Sequence, residues 1–384
     1  MNIMFQILIN LNMKKLLNAC IIFACLQFGF AHIVKAQLTS LPDGDNKRAS
    51  ISEQIGLTDV SIHYSRPAVK KRDGHIWGEL VPPGYVDQGF GPSKSAPWRA
   101  GANESTTIEF STDVKVEGQP LAAGKYGFFI AYGADECTLI FSKNSTSWGS
   151  FYYKPDEDIL RVKVKPIPVD KSVERLKYEF ADQTPNSATI QLQWEKLVIP
   201  FKIEADAVKN QVAFFKQELQ GEKSFNWESW SQAALYCAQN KTNLDEALMW
   251  ADTATSRIFG GSQSFQAWST KATVLDSLGR GTEAAEAMKK GLPFGSDYEI
   301  YGYGRTLTSA KKAKEAFAIF KMNYDKHPDE FITNVGMGRG YSAVGDYKKA
   351  LTYIQKAQAQ APNKPNKDAM DRLAKKLQDG KDIN

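Results

Sequence analysis

The run Trp98-Arg99-Ala100-Gly101-Ala102-Asn103-Glu104 gathers a rigid aromatic, a bidentate cation, an amide and a carboxylate around one glycine. Such a set suits a carboxylate or a sugar ring at the mouth of a β-sandwich, because forked N–H donors and an apolar plate fix orientation together. Trp98, Arg99, Asn103 and Glu104 are therefore candidate ligand-binding residues, and Arg66, at the end of the strand-like YSRP run, is a candidate to join them. A structural reading competes: Arg99 and Glu104 pair to pin the neighbouring loop, Asn103 satisfies a turn, and Arg66 makes an ordinary ion pair.

A second candidate group is aromatic: Trp148, Phe151, Tyr152 and Tyr153 surround Gly149. Sugar rings stack on such side chains, but aromatics in β-rich sequence more often form core or cross-strand pairs.

Other chemistry finds little footing. His63 lies in a strand-like run, His75 in a loop and His327 in a turn before Pro328, and none is spaced with another His or Cys as zinc requires. Asp156-Glu157-Asp158 lacks the ligand spacing of a calcium loop and reads as a solvated turn. The phosphate-loop pattern fails at Gly118 to Lys125, which has one residue too many between its glycines and reads as a hairpin turn. GMGRG at 336–340 misses the dinucleotide spacing. No catalytic residue, metal ligand or cofactor is assigned.

These groups must be positioned by a chain of 384 residues, long enough for two or three domains. Hydrophobic content of 42% with 24% charged residues excludes wholesale disorder. The N-terminus reads as a secretory signal over residues 1–36. Met13-Lys14-Lys15 is a basic start, Leu16 to Ala31 an apolar stretch, and Val34-Lys35-Ala36 a cleavage box before Gln37. Met13 is an alternative initiator, and an uncleaved anchor is the competing reading of the apolar stretch, which is shorter than a span of about 20 residues. A lipoprotein reading through Cys20 or Cys25 is weaker still. Three of the five net positive charges leave with this segment, so the remainder is near neutral and gives no support for a nucleic-acid partner. Cys137 and Cys237 remain, in different halves, and are expected to be buried thiols with no disulfide framework.

From Ala49 to about Asp206 apolar and polar residues alternate in short runs: Val60–Tyr64, Thr107–Phe110, Leu160–Val164, Leu176–Phe180 and Thr189–Trp194. Alternation gives each strand one buried face, and Gly118, Gly124, Gly133 and Pro155 fall at hairpin spacing. The expectation is an all-β sandwich over 37–206, with a barrel as alternative. Residues 81–97 (VPPGYVDQGFGPSKSAP) carry too much Pro and Gly for regular structure and predict a long surface loop.

Beyond Asp206 the period becomes helical. Ala247, Ala284, Ala316 and Ala350 recur at separations of 37, 32 and 34 residues, each after a charged residue opening a helix. Ala272, Gly304 and Gly338 supply small residues in the preceding helices, and Pro328 and Pro362 close the last two units. This pattern resembles the tetratricopeptide repeat, with Trp268 and Tyr341 at its aromatic positions. Gly291 and Asn323 depart from it, standing where alanine is usual. About four degenerate copies are expected within 207–380, from Phe225 to Asn363, followed by a capping helix over Asp368–Leu377.

The β half has a family resemblance of its own. YSRPAVKKRDGHIWGELVPPG, the WRAGANE run with the residues after it, TLIFSKNSTSWGSFYYKPDEDILRVKV and NSATIQLQWEKLVIPFKI together resemble domain of unknown function 2911. The likeness covers about Ala49 to Ala205 and implies a Bacteroidetes-type exported protein, sometimes bearing tetratricopeptide repeats. It implies no activity. The GYVDQGFGPSKSAP stretch is longer than the family's usual link before WRAGANE, so residues 84–97 form an inserted loop.

Two functional readings follow. The first is a non-enzymatic periplasmic or envelope protein whose repeats present a groove to a protein or peptide partner. The alternative is a glycan hydrolase or carbohydrate-binding protein working through a cleft in the β domain, which for hydrolysis needs a second carboxyl roughly 5–10 Å from Glu104. No transmembrane segment is expected after signal cleavage.

Overall fold

A computed structural model describes residues 46–384; the expected signal segment lies outside the described residues. The alternating runs form ten strands: β1 (Lys47–Ile55), β2 (Thr58–Arg66), β3 (Thr106–Phe110), β4 (Val114–Val116), β5 (Gln119–Leu121), β6 (Gly124–Ala131), β7 (Cys137–Ser142), β8 (Asp158–Val164), β9 (Ile167–Thr184) and β10 (Ser187–Ala205). They assemble into two sheets, β1-β2-β3-β6-β7-β8 and β5-β4-β10-β9. The sheets remain open, so the sandwich expectation holds and the barrel alternative does not. Glu117 (φ 49°) and Gly118 (φ 77°) both adopt left-handed backbone in the tight turn between β4 and β5, as expected of a hairpin there.

Period-2 alternation explains the core. Ile62, Phe128 and Phe141 point inward from one sheet, and Trp194 and Phe201 from β10 of the other; all are fully buried. The Phe128 and Phe201 rings meet at 5.4 Å across the sandwich. The other face of the first sheet is covered too. Phe129 and Ala131 of β6 and Ile140 of β7 join Ala96 and Tyr153 in a small second core. Ala96 of the 81–97 stretch and Tyr153 supply that cover. Residues 81–97 form no regular strand, yet Val86 and Ala96 exchange backbone bonds of 3.0 and 2.9 Å, and Gly84 N–H donates to the Tyr132 carbonyl at 2.8 Å. The stretch is a docked strap and not a free loop.

Ten helices follow among the described residues. Asp206 caps α1 (Ala207–Glu218) by accepting the Lys209 N–H. Buried Asn210 of α1 donates to the hydroxyls of Thr58 (3.1 Å) and Thr112 (2.9 Å), tying this helix to the sandwich. Four hairpins succeed it: α2 (Trp227–Gln239) with α3 (Leu244–Ala254), α4 (Phe265–Ser277) with α5 (Gly281–Gly291), α6 (Asp297–Ser309) with α7 (Ala313–Lys326), and α8 (Phe331–Ala343) with α9 (Tyr347–Ala359). Helix α10 (Lys364–Gln378) caps the array.

The repeating small residues do what their positions predict. Ala247, Ala316 and Ala350 are fully buried and Ala284 nearly so. A Cβ on Gly304 would lie 2.4 Å from the Phe320 ring, and one on Gly338 would lie 2.5 Å from Ile354. Glycine therefore sets how closely α6 approaches α7, and α8 approaches α9. The departures also have reasons. A Cβ on Gly291 would lie 2.6 Å from that of Trp268, and buried Asn323 donates to the Asp297 carbonyl at 2.7 Å.

Candidate functional site

The WRAGANE run does not converge on one ligand. Its backbone turns sharply, with Ala100 (φ 50°) and Asn103 (φ 58°) both left-handed. Trp98 turns inward: its ring stacks on Trp194 at 6.0 Å, meets Trp77 edge-on at 5.5 Å, and donates to the Gly101 carbonyl at 3.2 Å. The Ala100 carbonyl accepts from Thr106 Oγ1 (3.1 Å) and Tyr178 OH (2.7 Å), so the run is knotted to both sheets.

Arg99 turns the other way, beneath the strap. It donates to the Asn103 carbonyl at 2.7 Å and to Gln88 Oε1 at 3.4 Å, and stands 4.8 Å over the Phe151 ring. Gln88 in turn donates to buried Ser150 at 2.8 Å. Burial pulls the guanidinium below its ordinary pKa. Arg99 thus pins the loop as the structural reading predicts, but through carbonyl, amide and ring, not through Glu104. Arg66 stands apart as well, donating from Nε to the Leu176 carbonyl at 2.8 Å and so linking β2 to β9.

Glu104 lines an open groove of about 560 Å³ with Arg48, Ser50, His63, Ser65 and Ser105. Its carboxylate pairs with Arg48 and accepts from Ser65 Oγ at 3.2 Å. Burial alone would raise its pKa; its own backbone N–H, Arg48 and Ser65 outweigh that and hold it below the usual carboxylate value. Arg48 and Ser65 are partners the sequence reading did not single out. Arg48 lies 56 residues away from Glu104 in sequence, and no local pattern connects them.

The aromatic group divides. Tyr153 is buried, whereas Trp148 and Tyr152 are 54% and 46% exposed. Phe151 packs edge-on against exposed Phe90 of the strap at 5.1 Å. The neighbouring acidic turn is not wholly solvated, because the Asp158 side chain is only 6% exposed. It accepts from Tyr153 OH and Arg161 Nε, each at 2.7 Å. Burial first, and donation to Asp158 second, raise the Tyr153 pKa.

In the helical half an open cleft of about 370 Å³ separates the second hairpin from the third. Thr273 and Asp276 of α4, Gly302, Tyr303 and Thr306 of α6, and Glu315 of α7 line it. A Cβ on Gly302 would meet nothing within 4 Å, so this helix face is bare toward the cleft. Burial, with Glu315 and Asp276 adding negative charge nearby, raises the pKa of Tyr303. Small and hydroxyl-bearing side chains on a rigid wall leave room for an extended chain and offer it hydrogen bonds.

Residues 46–203 match the family described as Protein of unknown function (DUF2911). The match falls on the N-terminal half, where the motifs place it. No curated relative matches the chain. Among solved structures, it is similar to the fragment of MamA from residue 41 onward, from Desulfovibrio magneticus RS-1, at 16% identity, covering 41% of this chain and 95% of that one with a TM-score of 0.28. YrrB, described as a TPR protein with an unusual peptide-binding site, is 17% identical over 43% of this chain and 89% of its own, with a TM-score of 0.28. PilF of Pseudomonas aeruginosa is 18% identical over 42% and 77%, with a TM-score of 0.29. At such scores these likenesses carry no functional argument, and the tetratricopeptide-like organisation stands on the hairpins described above.

Proposed function

We propose that this protein is an exported, non-enzymatic binding protein that holds a protein or peptide partner on its helical repeats. The observation that carries this reading is the cleft between the second and third hairpins, open toward solvent and floored by a bare helix face at Gly302. Export is supported by the basic start at Met13-Lys14-Lys15, the apolar stretch after it and the small-residue box ending at Ala36. Among the described residues no helix is long and apolar enough to cross a membrane.

The test uses the full mature chain as bait in envelope extracts, beside Gly302→Arg. That substitution starts its side chain into open space, because nothing lies within 4 Å of the added Cβ. Partners should be retained by the natural chain and lost by the variant, with helical content unchanged. Capture of the same partners by both sinks the reading.

A second reading, carbohydrate binding at the β domain, draws on the exposed rings of Trp148 and Tyr152. Titration with envelope glycans should quench Trp fluorescence in the natural chain and not in Trp148→Ala; no quenching in either removes it. Hydrolysis has less support, since among the described residues lining its groove Glu104 is the only carboxylate.

A further inference from the structure

Helix α10 ends at Gln378, and Gly380, left-handed at φ 70°, turns the chain back onto the array. The residues that follow are seated on α8 through a specific set of contacts. The Asp382 carboxylate accepts from Ser342 Oγ at 2.6 Å, and that hydroxyl accepts the Ile383 N–H at 3.2 Å. Arg339 Nη1 donates to the Ile383 carbonyl at 2.6 Å, while its Nε donates to Tyr301 OH of α6 at 3.0 Å. Asn384 returns a bond to the Arg339 carbonyl at 3.1 Å. The Ile383 side chain is 4% exposed and packs with Val335, Met370 and Leu377.

This is the chemistry by which a rigid surface reads an extended peptide. Main-chain groups are taken by a fixed cation and a buried hydroxyl, one carboxylate is recognised, and one aliphatic side chain fills an apolar hole. Among the described residues Arg339 has no carboxylate within ion-pair distance; its donors go to a peptide carbonyl and a phenol. A guanidinium is suited to planar, bidentate recognition, and holding a carbonyl leaves that capacity partly unused. Nothing in the contact set requires the ligand to belong to this chain.

We propose that Tyr301, Arg339 and Ser342 form a binding site for an acidic residue followed by a branched aliphatic one. The protein's own Asp382–Ile383 occupies the site, and a partner carrying the same pair binds by displacing it. The site lies apart from the cleft at Gly302 and adds a second peptide-binding position on the repeats. A tethered segment competes at an effective concentration on the order of millimolar, so the site is closed to weak ligands and opens to a tighter one.

The probe is a fluorescein-labelled Gly-Lys-Asp-Ile-Asn peptide, followed by anisotropy. It should bind a chain lacking residues 380–384 at least about tenfold more tightly than the complete chain. Arg339→Ala in the shortened chain, or lysine replacing aspartate in the peptide, should abolish binding. A shortened chain of unchanged helical content that ignores the peptide overturns the proposal. Should shortening unfold the repeats, the complete chain carrying Asp382→Lys and Ile383→Gly takes its place: tighter peptide binding than the natural chain supports the site, and equal binding overturns it. A dimer that dissolves when 380–384 is removed overturns closure within one chain. Gly302→Arg should leave peptide binding intact, because it lies outside this contact set. Partner capture that fails while the peptide still binds therefore counts against the cleft reading and not against this site.

Discussion

The Arg99 guanidinium occupies the space that a side chain on Gly149 would need: a Cβ there would lie 2.3 Å from it. Gly149 is also left-handed, at φ 59°, where any Cβ costs about 1–2 kcal/mol. Gly149→Ala should therefore destabilise the β domain by about 2 kcal/mol or more and expel Arg99 from beneath the strap. Limited proteolysis within residues 84–97 reports the second effect directly. Resistance equal to that of the natural protein would show that Arg99 does not hold the strap.

Glycines on α6 and α8 should separate by what lies opposite them. Gly304→Ala and Gly338→Ala force a methyl into Phe320 and Ile354 and should each cost about 1–3 kcal/mol. Gly302→Ala faces open space and should be neutral or stabilising by up to about 1 kcal/mol, as an ordinary helix substitution. Urea unfolding of the three variants decides this. Equal costs at all three positions would contradict the packing described.

Glu104 predicts an acid-dependent difference. Its pKa is lower folded than unfolded, so its contribution is fully present above the unfolded carboxylate value and is lost as pH falls through the folded one. The stability gap between the natural chain and Glu104→Gln should be widest near neutrality and close in acid. It should also narrow with salt, because the Arg48 partner is 81% exposed. A gap independent of pH would mean that the carboxylate charge is irrelevant.

Both described cysteines are fully buried and free of disulfides. Burial lifts the Cys237 thiol to about 11 and raises Cys137 as well. Neither should react with a thiol reagent in the native protein at neutral pH, and both should react in denaturant. Rapid native labelling of either would place it at the surface.

What was legible in the sequence is what local periodicity encodes. Alternation at Thr189–Trp194 and the recurring alanines and glycines identify strands and helix pairs because each pattern is complete within one element. The WRAGANE run shows where that stops. Its residue types suggest a cluster, but Trp98 and Glu104 part company because Trp194 and Arg48, distant in sequence, hold them. Tyr178 similarly reaches the Ala100 carbonyl from 78 residues away. Arg339 was hidden differently. GMGRG draws attention as a failed nucleotide motif, while the signal it carries is a cation set among small residues on α8.

The proposed function places a partner in the cleft between the second and third hairpins. Its most direct measurement is photo-crosslinking in the full chain, with a photoreactive residue placed in turn at Thr306, at exposed Glu286 of α5 and at Trp148. Partner adducts are expected at 306 and none at 286 or 148. Adducts confined to 148, or equal at all three positions, would contradict it.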